Sequence, residues 1–292
     1  MLERIRNLLG GGILSRYQAD AVVFKHTFYT ISVGREKKTL RPVLVKVYTD
    51  EGMEVQDKLD EKYRDKPLAE ILPELSNRFV VKTIETGRAK GRRVEVMEAA
   101  PTTTLGERMN ARNLPVKALR RAILQAGEGL MYLHSLGYVH RGISPDAIAV
   151  TPEGDAKIID LSLLMDSQMT HAGGTMVGPS GYVAPEVIKR SAIDERCDIW
   201  ALGAVCYEAF CGVKPFPNGH GYEALLKVIN SKPQPLEERN RSVPADLNAV
   251  VMKALEKYPE HRYAKVEEML TDFAAARLPD RTTNRAAAFT AA

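Results

Sequence analysis

The chain has 292 residues, of which 45% are hydrophobic and 27% charged, and its 41 basic and 37 acidic side chains leave a net charge of +4. This length suits one large domain or two smaller lobes with a substantial core, and the composition excludes disordered, collagen-like and disulfide-scaffold proteins. So small an excess of positive charge does not favour a nucleic-acid partner, and we expect none.

The N-terminal segment predicts a short amphipathic helix that ends at the glycines Gly10–Gly12. Its apolar residues recur at helical spacing: Leu2, Ile5, Leu8 and Leu9. Arginines lie between these positions, so the segment fits either weak contact with a membrane surface or packing against its own domain. We treat residues 1–17 as an N-terminal extension.

The next part of the chain predicts four or five β-strands joined by short turns, because β-branched and aromatic residues dominate it. The strand-like stretches are Ala21–Val33, Val43–Tyr48, Phe79–Val81 and Val94–Met97. Between them, Met53–Ser76 consists mostly of helix formers. Pro67 cannot lie inside a helix, which predicts two helical pieces that meet there.

The part that follows Pro101 predicts mainly helices. Thr104 and Glu107 have the spacing of a capping box, and Val116–Leu136 carries apolar residues at helical spacing up to Gly137. Further helices are expected near residues 195–211, 220–229, 245–256 and 263–275. A strand pair is expected across Ala147–Val150 and Ala156–Ile159.

The three cysteines Cys197, Cys206 and Cys211 lie among apolar residues, at spacings that fit neither a zinc site nor a redox pair. We expect them to be buried thiols in a helix. Their odd number, together with an N-terminus that lacks a secretory pattern, predicts a cytoplasmic protein.

Several segments, in this order and spacing, resemble the eukaryotic-type protein kinase family over about residues 20–275. They are Val45–Lys46, Val96–Ala99, His140–Ala147, Lys157–Ser162, Gly181–Glu186, Asp198–Gly203 and Lys257–Arg262. The resemblance implies an α+β, two-lobed fold in a domain of residues 18–278. It has an N-terminal antiparallel β lobe with one helix region (about 18–98) and a larger, mainly helical C-terminal lobe (about 102–278). A flexible tail, 279–292, follows.

The resemblance also implies which residues bind a nucleotide. Lys46 matches the strand lysine that pairs with the phosphates, and Asp160 matches the aspartate that binds metal. Met97, Glu98 and Ala100 lie where the strand runs into the hinge between the lobes. In the late part of the chain, Arg262 is expected to pair with Glu186.

The acidic partner of Lys46 is left open. In the family, a glutamate on the helix between the third and fourth strands pairs with this lysine. An alignment without gaps places Leu68 at that position, with Glu61 and Glu70 near it.

The segment that matches the catalytic loop departs from the family at three positions. The family has aspartate at Gly142, lysine at Ser144 and asparagine at Ala147. Glycine cannot accept a proton, and general-base assistance is worth about 10²–10⁴ in rate. Asp146 occupies a variable position, and we expect its carboxylate to point elsewhere.

The glycine-rich phosphate loop is missing as well, since no glycine occurs between Gly12 and Gly34. We expect Phe28 or Tyr29 to fill part of the phosphate pocket. In the loop of residues 162–180, Thr170 and Thr175 are candidate phosphorylation sites that Arg141 would bind. The alternative is a flexible loop without that role.

Together these losses predict a pseudokinase with no catalytic residues and no metal site of its own. Such a chain would act in signalling as a scaffold or allosteric regulator of a protein partner, such as an active kinase. It would require no cofactor, would bind ATP weakly, and would hold Mg²⁺ only through Asp160. Two alternatives are kept: an atypical active protein serine/threonine kinase, and a nucleotide-binding switch without catalysis. The sequence predicts no oligomeric state.

Overall fold

The structure is a computed structural model that describes residues 12–63, 66–168, 178–216 and 221–280. Three of the predictions above lie outside these residues: the N-terminal helix, the phosphorylation sites Thr170 and Thr175, and most of the C-terminal tail. Within the described part of the chain, no helix combines the length and the apolar character that a membrane span needs.

The N-terminal lobe is built on an antiparallel sheet of five strands in the spatial order β1-β2-β3-β5-β4. The strands are β1 (Tyr17–Lys25), β2 (Tyr29–Glu36), β3 (Pro42–Tyr48), β4 (Thr83–Ala89) and β5 (Arg92–Glu98). The predicted strand at Phe79–Val81 is the exception. Val80 forms a bridge with Ile158 of the other lobe, and the amide of Val81 donates to the Ile158 carbonyl over 2.8 Å. This segment therefore joins the lobes, and β4 begins only at Thr83.

Two helices on either side of Pro67 cover one face of the sheet, as predicted: α1 (Asp50–Tyr63) and α2 (Leu68–Ile71). Proline lacks the amide hydrogen that a helix interior needs and its ring clashes with the preceding turn, so one helix cannot run through Pro67, and α2 begins directly after it. Leu59 and Leu68 are almost completely buried, so both pieces are held by apolar packing.

Helices form most of the C-terminal lobe. They are α3 (Leu105–Ala111), α4 (Val116–Ser135), α5 (Pro185–Ile188), α6 (Arg196–Cys211), α7 (Gly221–Asn230), α8 (Leu236–Arg239), α9 (Ala245–Ala254) and α10 (Val266–Ala275). The predicted capping box is present at the start of α3, where Thr104 accepts from the Glu107 amide and Glu107 accepts from the Thr104 amide. The two-lobed α+β architecture is thus confirmed.

Helix α6 is the centre of this lobe, and nearly all of its residues are buried, including the three cysteines. Its Asp198 carboxylate has no solvent exposure and accepts from the amides of His140 and Arg141 over 2.8 and 2.7 Å. Burial alone would raise the pKa of Asp198, but hydrogen bonds, first of all from His134, hold it below its usual range. The loop that follows His140 is therefore fixed to the core.

Two short strand pairs position the loops of the cleft. The strands are β6 (Tyr138–Val139), β7 (Ile148–Val150), β8 (Ala156–Ile158) and β9 (Met165–Asp166). The pair β7–β8 confirms the predicted hairpin, and β6 pairs with β9. Because both pairs are antiparallel, they bring the loop of residues 140–147 beside the loop of residues 159–164.

Candidate functional site

A cavity of about 400 Å³ lies between the lobes. The turn between β1 and β2, the loops that contain Gly142 and Asp160, and residues 178–182 line it. Three carboxylates border the cavity: those of Asp146, Asp160 and Glu208. The position between two unlike lobes and the convergence of polar groups make this cavity the candidate active site.

Lys46 and Asp160, which the sequence separates by more than a hundred positions, are in direct contact, and Asp160 lines the cavity. The Lys46 ammonium is completely buried and lies 2.8 Å from Oδ1 of Asp160. It also donates to the Ser162 hydroxyl over 2.7 Å. The same Oδ1 accepts from the Ser162 amide over 3.1 Å, so β3 and the loop after β8 are joined by one network.

This network keeps both groups charged. Burial would lower the pKa of Lys46, but the carboxylates of Asp160 and Glu95 raise it well above its ordinary value. Burial would likewise raise the pKa of Asp160, while the Lys46 ammonium and the Ser162 hydrogen bonds hold it well below its usual range. A charged ammonium in a buried cleft is suited to bind phosphate oxygens.

The second acid beside Lys46 is Glu95 of β5, whose Oε2 lies 3.6 Å from the ammonium. Neither of the glutamates considered from the sequence, Glu61 and Glu70, fills this role, since both side chains are exposed. Leu68, the position given by the alignment, is buried and apolar. Helix α1 contributes a neutral group instead.

That neutral group is Gln56, which is 2% exposed and donates from its amide to the Ser162 carbonyl over 2.7 Å. Tyr48 adds a second link, because its hydroxyl donates to Oε1 of Glu95 over 2.6 Å and lies 3.1 Å from the Ser162 hydroxyl. Sequence reasoning missed Gln56, Tyr48 and Glu95. For Glu95 there was a signal: it stands between Val94 and Val96 in a strand, at a position that must face the side opposite to both valines.

Tyr29 occupies the other oxygen of Asp160, so the prediction that Phe28 or Tyr29 fills the phosphate pocket is met by Tyr29. Its hydroxyl donates to Oδ2 of Asp160 over 2.9 Å, and the Lys46 ammonium lies 4.3 Å from the centroid of its ring. His26 stacks on the other side, with the ring centroids 4.8 Å apart. Burial and the Asp160 carboxylate raise the pKa of Tyr29 well above its ordinary value, so the hydroxyl remains a donor.

Replacing Tyr29 by phenylalanine should tighten the binding of Mg²⁺ with ATP about tenfold, since a hydrogen bond to a charged group is worth about 1.5–3 kcal/mol. The bond stabilises the arrangement in which the Tyr29 hydroxyl occupies Oδ2 of Asp160, and a metal at that oxygen would have to displace it. Calorimetric titration with Mg²⁺ and ATP measures the change. Tyr17→Phe is the matched control, because the Tyr17 hydroxyl also donates to a carboxylate, that of Glu85, away from the cleft. Unchanged or weaker binding by Tyr29→Phe would contradict the expectation.

A buried apolar cluster adjoins this network on the hinge side. We call it the interlobe apolar cluster; it consists of Phe24, Tyr29, Ile31, Leu44, Val81, Met97, Ala149 and Ile159. Met97 is 1% exposed within it, and Ala100 packs against it. Glu98 instead makes an ion pair with Lys157 over 2.5 Å. The structure thus brings Met97 and Ala100 together with Lys46 and Asp160, whereas the Glu98 side chain lies beside them in a separate contact.

The floor of the cleft carries the altered loop. Gly142, Ser144 and Ala147 all border the cavity, and none of them offers a carboxylate. Asp146 also borders it and is exposed, but its Oδ1 is 3.3 Å from the Thr104 hydroxyl, which donates to it. Its carboxylate is therefore oriented by the start of α3, away from the position that Gly142 occupies.

Comparison with known proteins gives a family match and several relatives. The family described as "Protein kinase domain" matches residues 27–273. A probable serine/threonine-protein kinase of Clostridium perfringens is 30% identical over 268 residues, which cover 91% of this chain and 39% of the relative. The serine/threonine-protein kinase PknB of Mycobacterium leprae is 29% identical over 61% of this chain and 29% of its own length.

A third relative, the tyrosine-protein kinase MasK of Myxococcus xanthus, is 30% identical over 222 residues, or 71% of this chain and 34% of MasK. In each case the chain spans well under half the length of the curated relative that it matches.

The prediction of a catalytically inactive regulator, and with it the prediction that the chain is not an enzyme, is wrong. The relatives are named as serine/threonine or tyrosine kinases, and the structure keeps the lysine and the aspartate of the nucleotide site in contact. These findings point to an enzyme, and the match over residues 27–273 shows that the chain belongs to the protein kinase family.

Proposed function

We propose that this chain is an atypical protein serine/threonine kinase that transfers the γ-phosphoryl group of ATP to a hydroxyl of a protein substrate. The observation that carries the proposal is the contact between the buried Lys46 ammonium and Asp160, which lines the cleft. Membership of the family implies the use of ATP and Mg²⁺, which replaces the expectation that no cofactor is required.

The interlobe apolar cluster and Lys46 supply complementary parts of a nucleotide site. Met97 and Ala100 belong to the apolar packing next to the hinge, a surrounding that suits an adenine ring. Lys46 offers a buried positive charge, which suits the phosphates. We therefore keep Lys46, Met97, Glu98, Ala100 and Asp160 as the proposed nucleotide-binding residues.

Mg²⁺ fits Asp160 in chemical terms. Mg²⁺ is commonly held by one or two carboxylates together with substrate phosphates and water, and Oδ2 of Asp160 accepts a hydrogen bond from the Tyr29 hydroxyl that the ion would replace. Among the residues that the structure describes, no group of three acidic, histidine or cysteine side chains forms a separate metal site. When bound, the ion would neutralise charge on the phosphates.

The reaction asks little covalent chemistry of the protein. The substrate oxygen bonds to the γ-phosphorus, the bond from that phosphorus to the bridging oxygen breaks, and ADP leaves. Because the transition state is loose, most of the rate enhancement comes from positioning and charge neutralisation. Lys46 would position the phosphates and neutralise part of their charge, and Asp160 would hold the Mg²⁺ that neutralises more. Gly142 provides no acceptor for the substrate proton, which passes to water or phosphate. We expect a slow kinase.

Several sequence expectations remain part of the proposal. They are a cytoplasmic location, a protein substrate or partner rather than nucleic acid, weak membrane contact by residues 1–17, and a kinase domain of residues 18–278. The substrate side of the cleft supports a protein substrate, because residues 178–182 and Asp146 border a groove that is open to solvent.

Transfer of radioactive phosphate from ATP tests the proposal. We expect the purified chain to label itself or a mixed set of serine, threonine and tyrosine peptides, chiefly on serine and threonine. Lys46→Met should lose this labelling, since the charge that binds the phosphates is removed. Phosphoamino-acid analysis of the labelled product identifies the hydroxyl that is used.

Lys265→Met serves as the control, because Lys265 is an exposed lysine whose partner, Glu195, lies in the helical lobe. It should label as well as the wild type. Thermal unfolding of all variants separates a loss of activity from a loss of fold. Absence of labelling by a folded wild-type chain that binds ATP would refute the kinase proposal and favour the nucleotide-binding switch.

A further inference from the structure

We propose that Glu95, on strand β5, is the positioning residue for Lys46, and that it replaces the helix glutamate that usually pairs with this lysine in the family. The inference rests on the proposed function, because it concerns the same nucleotide site. It assigns to this chain an arrangement in which both members of the lysine–glutamate pair belong to one sheet.

The first support is strand register. In the antiparallel pairing of β3 and β5, Lys46 lies directly opposite Glu95. Opposite residues on one face of such a pair have their Cβ atoms about 4.5–5.5 Å apart. The sheet itself therefore fixes the separation of the two side chains, and the observed distance of 3.6 Å between Nζ and Oε2 follows from it.

The second support is burial. Lys46 has no solvent exposure and the Glu95 side chain has 8%. A buried ammonium without opposite charge is very costly, and a buried carboxylate likewise. Asp160 also contacts Lys46, but it lines the interlobe cavity and would hold Mg²⁺ as well, whereas Glu95 is not among the residues that line that cavity. Glu95 is therefore the acid that stays with Lys46 when Asp160 turns to a metal.

The third support is the orientation of the Glu95 carboxylate. The Tyr48 hydroxyl donates to Oε1 over 2.6 Å, which leaves Oε2 directed at Lys46. Tyr48 is completely buried, and burial and the neighbouring carboxylate raise the pKa of its hydroxyl far above the ordinary value. The donor is thus permanent, and it limits the rotation of Glu95.

The consequence concerns helix α1. A glutamate on this helix would form the ion pair only when the helix is correctly placed, so that helix movement would control the lysine. Here the helix contributes Gln56, which holds the Ser162 carbonyl and makes no charged contact of that kind. The pairing of Lys46 with Glu95 is therefore set by the sheet, while the link from α1 to Lys46 runs through Ser162.

Glu95→Gln tests the proposal, because glutamine keeps the size and an acceptor for Tyr48 but loses the charge. We expect KM for ATP to rise roughly tenfold, with KM for the peptide substrate unchanged and partial recovery in Glu95→Asp. Glu85→Gln is the matched control: Glu85 is also a sheet glutamate with a cationic partner and a tyrosine hydroxyl, Arg16 and Tyr17. Equal KM for ATP in Glu95→Gln and the wild type would overturn the proposal.

A double-mutant cycle of Glu95 and Lys46, measured by urea unfolding, tests the ion pair without an activity assay. Glu95→Gln should lower the urea midpoint clearly in the wild type and little in a Lys46→Met background, since the charge it pairs with is then gone. Equal decreases in both backgrounds would overturn the proposal. If the wild type neither binds ATP nor transfers phosphate, the proposed kinase function fails, and this cycle alone decides whether Glu95 holds Lys46.

Discussion

Replacing Gly142 by aspartate should raise kcat for phosphate transfer by about 10²–10⁴, the usual value of general-base assistance. Gly142 borders the cleft together with Asp160. An added Cβ at this position would lie 3.4 Å from Cδ1 of Leu163 and 3.5 Å from Cε1 of His140, which are ordinary contacts. The backbone at Gly142 is not among the positive-φ positions, so a Cβ fits at this position without backbone strain, at the border of the cleft.

The Gly142→Asn variant distinguishes two ways in which Gly142→Asp raises the rate: acceptance of the substrate proton and orientation of the substrate hydroxyl. Asparagine has nearly the same shape but is a poor proton acceptor, so it should improve the rate only through orientation of the hydroxyl. Steady-state kinetics with saturating ATP compare the two variants, and KM for ATP should stay the same in both. If Gly142→Asp is no faster than Gly142→Asn, then the proton acceptor is not what limits this enzyme.

The prediction of an inactive protein failed because it counted missing side chains one by one. Losses in a catalytic unit are not additive, and phosphate transfer depends more on placement and charge than on any one base. What the chain keeps is the placement: a completely buried Lys46 held against Asp160. Gly142 is then expected to slow the reaction, and the relatives named as kinases agree with an enzyme.

The elements that the sequence predicted well are those whose boundaries depend on residues within the element itself or directly beside it. Pro67 separates two helices because proline lacks the amide that a helix interior needs, and Thr104 with Glu107 begins α3 because their side chains bond each other's amides. The contact of Lys46 with Asp160 was not predicted, since the resemblance assigns Lys46 to the phosphates and Asp160 to the metal and leaves the acidic partner of Lys46 open.

The position of Glu95 beside Lys46 could not be predicted from the residues next to either of them in the sequence. Its closeness to Lys46 depends on the register between β3 and β5, which residues far apart in the chain set together. The β3 segment is apolar on both faces, apart from Lys46 itself, so no alternation marks the face or the register. The resemblance instead points to the helix glutamates Glu61 and Glu70, and the structure leaves both exposed.

Replacing Arg262 by methionine should destabilise the chain by about 3–5 kcal/mol, the cost of removing one partner of a buried ion pair. The expected pairing with Glu186 is confirmed: the two guanidinium nitrogens each donate to one carboxylate oxygen over 2.7 Å. Arg262 also donates to the carbonyls of Glu256 and Arg196 over 2.8 and 2.9 Å. Its removal leaves Glu186, which is 6% exposed, charged and unpaired in the core.

Urea unfolding measures this loss, and Arg277→Met is the control for it. Arg277 has a 75% exposed side chain that pairs with Asp246 over 3.1 Å, and exposed pairs contribute only about 0–1 kcal/mol. The double variant Arg262→Met with Glu186→Leu should recover much of the stability, because no buried charge then lacks a partner. If Arg262→Met costs no more than Arg277→Met, then the ion pair does not hold α5 to the helical lobe. In that case apolar packing of Val187 and Trp200, both buried beside the pair, carries the junction instead.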